Sequence, residues 1–265
     1  MTTVIDFHTH VFPDDLAPKV IDKLIGDAPT GKNFTDGTAS GLRDSLKTNG
    51  ITKAVILPIA TKKEQVPTIN AFQSSLQCTS FIPFGAIHPE TENIEEAVSA
   101  LISSGIKGIK LHPEFQDFYI DAPRYFPLYE ALVAAEIRIV FHAGKDPGPF
   151  SCDHGLPAGF KNVRKNFPKL KMVAAHMGGW QLWEESYQEL CGESLYFDTS
   201  AIYGLIDRQL FMRMVKKHGS DFILFGSDSP WFDQGEAFRW IASLPLSDIQ
   251  KEKIFHLNAE RFLNS

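Results

Sequence analysis

The chain has 265 residues, of which 43% are hydrophobic and 22% charged, and its net charge is −6. This composition is ordinary for a globular protein with a sizeable core, and the length suits one α/β barrel of about 250 residues. The acidic balance argues against nucleic acid or an anionic membrane as a partner, because both attract basic surfaces. Since no linker or low-complexity tract interrupts the chain, we expect one domain over residues 1–265.

The cysteine pattern and the absence of targeting segments predict a cytoplasmic protein. Cys78, Cys152 and Cys191 are scattered and form no CxxC pair, which indicates free thiols in a reducing compartment. The N-terminus lacks the basic and apolar regions of a signal peptide. No apolar stretch approaches the roughly 18 residues that a membrane span requires.

Short β-rich segments alternate with longer amphipathic segments along the chain. The predicted strands cover residues 2–10, 53–60, 81–89, 108–113, 137–144, 171–179, 194–200 and 222–230. The predicted helices include residues 93–105, 125–136, 207–219 and 246–263, whereas residues 26–41 are loop-like. The strands are rich in Val, Ile and Phe without regular polar alternation, which is typical of a sheet covered on both faces.

Alternating strands and helices imply parallel βαβ units. Eight such units within this length favour a closed (β/α)8 barrel, the TIM barrel, and an open doubly wound sheet is the alternative. In a barrel enzyme the active site lies at the carboxyl ends of the strands. The functional residues are therefore expected in the last residues of the predicted strands and in the loops that follow them.

Ionisable side chains do gather at these strand ends. His8 and His10 lie at alternate positions of the first strand, with Asp6 at the same parity, so all three are expected to face the barrel lumen. His142, His176 and Asp228 end the fifth, sixth and eighth strands. Imidazoles and a carboxylate that converge on one point are suited to Zn²⁺ or a similar divalent ion. A bound ion would lower the pKa of its water towards about 7.

Further candidates lie around the same rim. Lys110 and His112 end the fourth strand, and both are expected to face the lumen. Phe12, Trp180 and Trp231 follow the first, sixth and eighth strands and could line an aromatic pocket mouth. The alternative for each aromatic residue is that it packs a loop onto the barrel.

The motifs that carry these residues resemble the amidohydrolase superfamily. More narrowly, they are similar to its amidohydrolase-2 branch, which includes aminocarboxymuconate-semialdehyde decarboxylase and related decarboxylases, hydratases and lactonases. The motifs occur in family order along the chain: DFHTH (6–10), GIKLHP (108–113), FHAG (141–144), AHMGG (175–179), FGSDSPW (225–231) and NAERFL (258–263).

The resemblance implies one divalent ion, most simply Zn²⁺, held by His8, His10, His142 and Asp228. It assigns His176 to orienting or protonating the water or the substrate. Because barrels of this branch often pair, the resemblance is also compatible with a homodimer.

Lys110 leaves the number of metal ions open. In binuclear relatives a lysine at this place is carboxylated and bridges two metals, so two ions are the alternative, with His112 and His176 as further candidates for the second ion or the pocket. Otherwise Lys110 is an unmodified amine paired with a carboxylate such as Asp6 or Asp228.

The predicted activity is metal-dependent hydrolysis of a small amide, lactone or ester. Asp228 would take a proton from water, and His176 would stabilise the developing oxyanion. The alternative is a metal-dependent non-oxidative decarboxylase or hydratase that acts on a small carboxylic acid with the same ligands. We expect hydrolysis because no arginine is convincingly placed at the rim and because the chain is short for a decarboxylase of the branch. A barrel without catalytic activity is disfavoured because both His176 and Asp228 are present.

Overall fold

The computed structural model describes residues 3–264, so Thr2 of the first predicted strand and the two ends of the predicted 1–265 domain lie outside the described residues. All pairs of neighbouring strands are parallel, in one sheet of order β1-β2-β3 and another of order β4-β5-β6-β7-β8-β9. The strands are β1 (Ile5–Thr9), β2 (Lys53–Ile56), β3 (Phe81–Pro83), β4 (Gly85–Ala86), β5 (Gly108–Leu111), β6 (Arg138–Phe141), β7 (Met172–Ala174), β8 (Tyr196–Asp198) and β9 (Ile223–Leu224).

The third predicted strand is divided into β3 and β4. Only Phe84 separates the two, and its backbone N–H still donates to the carbonyl oxygen of Ile56 in β2 at 2.9 Å. β3 pairs with β2 and β4 pairs with β5, so the two short strands join the sheets into one ring. The fourth to eighth predicted strands are therefore β5 to β9.

Backbone hydrogen bonds between the first and last strand segments close this ring. The N–H of Phe7 donates to the carbonyl oxygen of Phe225 at 2.7 Å, and the N–H of Asp228 donates to the carbonyl oxygen of His8 at 2.9 Å. These bonds leave no open edge between the two ends of the sheet, in agreement with a TIM barrel and not with an open doubly wound sheet.

Helices follow most of the strands. The helices are α1 (Ala17–Leu24), α2 (Ala39–Asn49), α3 (Val66–Ser75), α4 (Ile94–Ser103), α5 (Phe126–Ala134), α6 (Pro157–Asn166), α7 (Trp183–Glu189), α8 (Arg208–His218), α9 (Gln234–Ala242), α10 (Asp248–Glu252) and α11 (Asn258–Asn264). The predicted segment 246–263 is helical, but a π-helical turn at Lys253–Leu257 divides it. None of the helices within residues 3–264 combines the length and apolar character needed to span a bilayer.

Hydrophobic side chains fill two layers. The larger cluster lies between strands and helices and includes Ile56, Leu111 and Phe141 with Leu42 and Leu46 of α2. A smaller cluster joins residues of several strands around the ring, which can meet only in the barrel interior: Phe7, Val55, Val140, Val173 and Leu224. These layers fix the strand ends that carry the polar residues.

Candidate metal centre

His8, His10 and Asp228 form a compact group at the carboxyl end of the barrel. Asp228 Oδ1 lies 3.2 Å from His10 Nε2 and 3.4 Å from His8 Nε2. One ligand atom from each residue lies within 4.8 Å of the other two, which makes the group a candidate for holding a metal ion. The structure thus brings together three of the four ligands expected from the sequence.

The strand that carries His8 and ends just before His10 is irregular. The pairing of β1 with β2 shifts register between Asp6 and Thr9. The Asp6 carboxylate accepts hydrogen bonds from Ser227 Oγ at 2.5 Å, from Gln234 Nε2 at 2.7 Å and from the backbone N–H of His8 at 3.2 Å. The register shift marks a bulge, which re-aims the side chains beside it. That Asp6 shares the lumen with His8 and His10 stays a prediction.

The partners of the two histidines determine which ring nitrogens are free. His10 Nδ1 donates to the carbonyl oxygen of Leu57 at 2.7 Å, and His8 Nδ1 donates to Asp198 Oδ2 at 2.8 Å. In each neutral ring the lone pair is then on Nε2, the atom that faces Asp228. Lone pairs on two imidazoles and a carboxylate are the donor set that a divalent ion requires, so these residues fit the expected metal.

Burial and charge favour the same protonation states. Burial, assisted by the charge of Lys110, lowers the pKa of His8 to about 3. Burial alone would raise the pKa of Asp228, but the neighbouring histidines His10, His8 and His176 hold that pKa well below its usual range. Asp228 is therefore ionised and His8 neutral near pH 7, as metal ligands must be.

His142, expected as the fourth ligand, faces His176 and the following loop. His142 Nε2 donates to the carbonyl oxygen of Lys145 at 2.8 Å, and His176 Nδ1 donates to that of Ser200 at 3.1 Å. The remaining nitrogens, His142 Nδ1 and His176 Nε2, lie 3.0 Å apart. Burial lowers the pKa of both rings, so each of these two nitrogens carries a lone pair. The pair can accept one shared proton or a metal ion.

Lys110 is buried beside the ligand group. Its Nζ lies 3.2 Å from His8 Nε2, and burial lowers the pKa of its amine to about 8. Asp6, one of the carboxylates expected as its partner, bonds Ser227 and Gln234 instead. Asp228 remains a source of attraction for the Lys110 charge.

A second polar group lies on the far side of His142. His112 and His142 stack with ring centroids 4.1 Å apart, and His112 Nε2 lies 3.4 Å from Asp146 Oδ2. Glu114 Oε1 accepts the backbone N–H groups of His154 at 2.9 Å and Gly155 at 3.0 Å, whereas the buried Oε2 has no hydrogen-bond partner. Burial raises the pKa of Glu114 to about 7. The sequence interpretation included His112 but missed Glu114 and Asp146.

Asp198 at the end of β8 was also missed. Its carboxylate accepts from His8 Nδ1 at 2.8 Å, from the backbone N–H of His176 at 3.0 Å and from Ser200 Oγ. Burial alone would raise its pKa, but His8 holds the pKa well below the usual range. The available signal was FDTS (197–200), an ionisable residue at the end of a predicted strand.

The three aromatic residues expected at the pocket mouth differ in their surroundings. Trp180 is buried against Phe232, and its Nε1–H donates to the carbonyl oxygen of Ala201 at 3.1 Å, so it packs loops together. Trp231 is half-buried beside the same cluster. Phe12 is half-buried, and its backbone N–H donates to the carbonyl oxygen of Gly37 at 2.8 Å.

Comparison with models of protein families identifies the family of the chain. The model of an amidohydrolase family matches residues 5–264. The chain belongs to this amidohydrolase family. No curated protein sequence matches the chain.

Solved structures similar to this amidohydrolase share its fold over the whole chain. A 2,6-dihydroxybenzoate decarboxylase in complex with 2,6-dihydroxybenzoate superposes with a TM-score of 0.79 at 16% identity and covers 100% of both chains. An uncharacterised TIM-barrel protein from Bordetella bronchiseptica gives 0.78 at 22% identity over 98% of both chains. A dihydroxybenzoic acid decarboxylase from Polaromonas with bound manganese and 2-nitroresorcinol gives 0.73 at 19% identity, over 99% of this chain and 97% of the other.

Proposed function

We propose that the protein is a metal-dependent carboxy-lyase that removes the carboxyl group of a small aromatic acid without oxidation. The observation that carries this proposal is the buried amine of Lys110, 3.2 Å from His8 Nε2. A buried cation beside a metal-ligand group is suited to an anionic substrate. Lys110 thus supplies the positive charge for which no rim arginine was found in the sequence.

The structural comparisons support this choice over hydrolysis. Two of the similar structures are decarboxylases of dihydroxylated benzoic acids, and they align with nearly the whole of this chain. The short length of the chain therefore no longer argues against decarboxylation. These neighbours also suggest the substrate class, a hydroxylated benzoate.

His8, His10 and Asp228 would hold one divalent ion, with His142 as the predicted fourth ligand. Mn²⁺ and Zn²⁺ both accept imidazole and carboxylate ligands, and one of the similar decarboxylases contains manganese. When bound, the ion supplies a positive charge that orients and polarises oxygen atoms of the substrate. Asp198 keeps the His8 ring in the tautomer that presents Nε2 to the ion.

Side chains of the protein would carry out the remaining steps. The Lys110 ammonium would pair with the substrate carboxylate and hold it in place. His176 would accept a proton from solvent at Nε2 and pass it to the ring carbon that bears the carboxyl group. The bond between that carbon and the carboxyl group then breaks, its electron pair stays with the ring, and CO₂ leaves.

Hydrolysis of a lactone, ester or amide is the second candidate. It is favoured by the ionised carboxylate of Asp228, which lies 3.2 Å from His10 Nε2 and could accept a proton from water. The same ligands serve both reactions, so the two candidates differ in the substrate and in the role of Lys110.

Parallel assays separate the two candidates. Protein loaded with Mn²⁺, and separately with Zn²⁺, is incubated with 2,6-dihydroxybenzoate and 5-carboxyvanillate, and CO₂ release is measured. The same preparations are given lactones and nitrophenyl esters. We expect CO₂ release from at least one acid; hydrolysis of the esters or lactones without CO₂ release would favour the second candidate.

Lys110→Met tests the role of the buried amine. We expect kcat/KM for the acid to fall at least a hundredfold, because a charged hydrogen bond to the carboxylate is lost. Lys107→Met is the matched control, since Lys107 lies just before the same strand and is exposed. Equal activity of the two variants would remove Lys110 from the proposed mechanism.

A further inference from the structure

The group of polar residues beyond His142 has no role in the proposed reaction, yet its composition is specific. Asp146 Oδ2 lies 3.4 Å from His112 Nε2 and 3.9 Å from His142 Nε2. Glu114 Oε2 lies 3.7 Å from His112 Nδ1 and 4.0 Å from His142 Nε2. Within residues 3–264, neither carboxylate forms an ion pair with a lysine or arginine.

We propose that Asp146, supported by His112 and Glu114, forms a substrate subsite for a hydrogen-bond-donating substituent, a hydroxyl or an amine, on the aromatic acid. This inference rests on the proposed function. It concerns the ring substituent by which the site would distinguish one aromatic acid from another. The subsite adjoins the reacting groups, because His112 stacks on His142 and the His142 ring centroid lies 4.8 Å from that of His176.

Asp146 is the residue of this group that a substrate can reach. Its Oδ1 accepts the backbone N–H of Gly148 at 2.9 Å, which orients the carboxylate. Its side chain is 11% exposed, whereas that of Glu114 is fully buried. Oδ2 lies 3.4 Å from His112 Nε2 and has lone pairs that can accept a hydroxyl or amine hydrogen.

The unpartnered oxygen of Glu114 distinguishes the group from a purely structural ion pair. A buried acceptor without a donor costs about 1–3 kcal/mol, so such atoms are uncommon in folded proteins. Glu114 Oε2 lies beside both imidazoles, 3.7 Å from His112 Nδ1 and 4.0 Å from His142 Nε2. The neighbouring carboxylate of Asp146 disfavours an acceptor group on the substrate and favours a donor.

Aromatic side chains limit the shape of the substituent. The Phe115 ring meets the His112 ring edge-on with centroids 4.6 Å apart, and the Phe150 ring lies 5.1 Å from that of Phe115. Carboxylate oxygens beside an aromatic wall suit a flat ring that carries a small polar donor.

The test uses hydroxybenzoates that are identical except for one substituent, which is hydroxyl, amino, methoxy or hydrogen. For the metal-loaded protein we expect kcat/KM to be at least tenfold higher for the hydroxyl or amino acid than for its methoxy analogue. In Asp146→Asn the ratio should fall to near one, and in Glu114→Gln it should fall by a smaller factor. Asp153→Asn in the same loop is the matched control and should keep the wild-type ratio.

Binding of the same acids, measured by isothermal titration, keeps this test independent of turnover. Acids that bind with the expected preference but release no CO₂ would refute the proposed function and still support the subsite. A preference that is unchanged in Asp146→Asn would overturn the subsite. Elemental analysis is the second readout: an additional metal ion per chain that is lost in Asp146→Asn would also overturn it, because the group would then be a cation site.

Discussion

Asp198 shows how one residue can organise several others at this site. Its carboxylate accepts hydrogen bonds from His8 Nδ1 at 2.8 Å and from the backbone N–H of His176 at 3.0 Å. It thereby ties a proposed metal ligand to the proposed proton donor. A carboxylate behind a ligating histidine fixes the ring orientation and increases the basicity of the nitrogen that binds the metal.

Asp198→Asn is therefore expected to weaken Mn²⁺ binding by about 10–100-fold and to lower activity by a similar factor. The amide keeps the volume of the side chain but removes the charge that favours the His8 Nδ1–H tautomer. Isothermal titration with Mn²⁺ measures the affinity, and Asp22→Asn on the exposed side of α1 is the control. An unchanged affinity in Asp198→Asn would show that Asp198 does not orient His8.

The sequence could predict the residues at this site better than their contacts. His8, His10 and Asp228 were found because each lies at the end of a predicted strand. Asp198 also lies at the end of a predicted strand, but it was missed because its role depends on a contact with His8, 190 positions away in the chain. Glu114 was missed because nothing in the sequence shows that one of its oxygens is buried without a partner.

At the level of the elements, the hydrophobic segments of the sequence predicted all eight strands correctly. The predicted strands are, however, longer than the observed ones. For example, the predicted strand 137–144 is longer than the observed β6, Arg138–Phe141. The prediction is too long because buried residues continue along the chain after the regular strand hydrogen bonding ends. The bulge in β1 and the break at Phe84 depend on pairing with neighbouring strands, which local hydrophobicity does not encode.

His218 at the end of α8 illustrates how a helix is fastened to the barrel. Its Nδ1 accepts the backbone N–H of Gly192 at 3.2 Å, its Nε2 donates to the carbonyl oxygen of Leu195 at 3.1 Å, and its ring stacks on Phe197 with centroids 4.0 Å apart. These contacts require a neutral ring with the proton on Nε2. Burial lowers the pKa of His218 to about 4.

This pKa predicts a loss of stability at acidic pH. The unfolded chain, in which a histidine has a pKa of about 6.5, takes up a proton before the folded chain does. The stabilisation from the neutral ring is complete above about pH 6.5 and is lost as the pH falls towards 4. In urea unfolding, the decrease in the free energy of unfolding from pH 7.5 to pH 5 should be about 2 kcal/mol smaller for His218→Gln than for the wild type. Identical decreases would contradict a neutral His218.

At the level of the whole molecule, the candidate metal site of His8, His10 and Asp228 couples ion binding to folding. His10 and Asp228 come from the two strand segments that close the barrel, and their contacting atoms are 3.2 Å apart. Only the folded chain brings these ligands together, so an ion that binds them stabilises the fold by mass action.

Metal-free protein should therefore gain thermal stability when Mn²⁺ is added. At a free Mn²⁺ concentration of 100 times Kd the gain is about 2.7 kcal/mol, which corresponds to a rise in Tm of about 5 °C or more. Scanning calorimetry measures the rise, which should disappear in His10→Ala. A rise of equal size in that variant would place the ion elsewhere.

The closure of the barrel by its first and last strands also has a consequence for biosynthesis. His10 and Asp228, whose side chains meet in the finished protein, are 218 positions apart in the chain. A ribosome makes the histidines early, and it completes the carboxylate partner only after most of the sequence has emerged. A nascent or prematurely terminated chain therefore lacks the complete ligand group, so the proposed ion would be captured only once synthesis has passed the last strand.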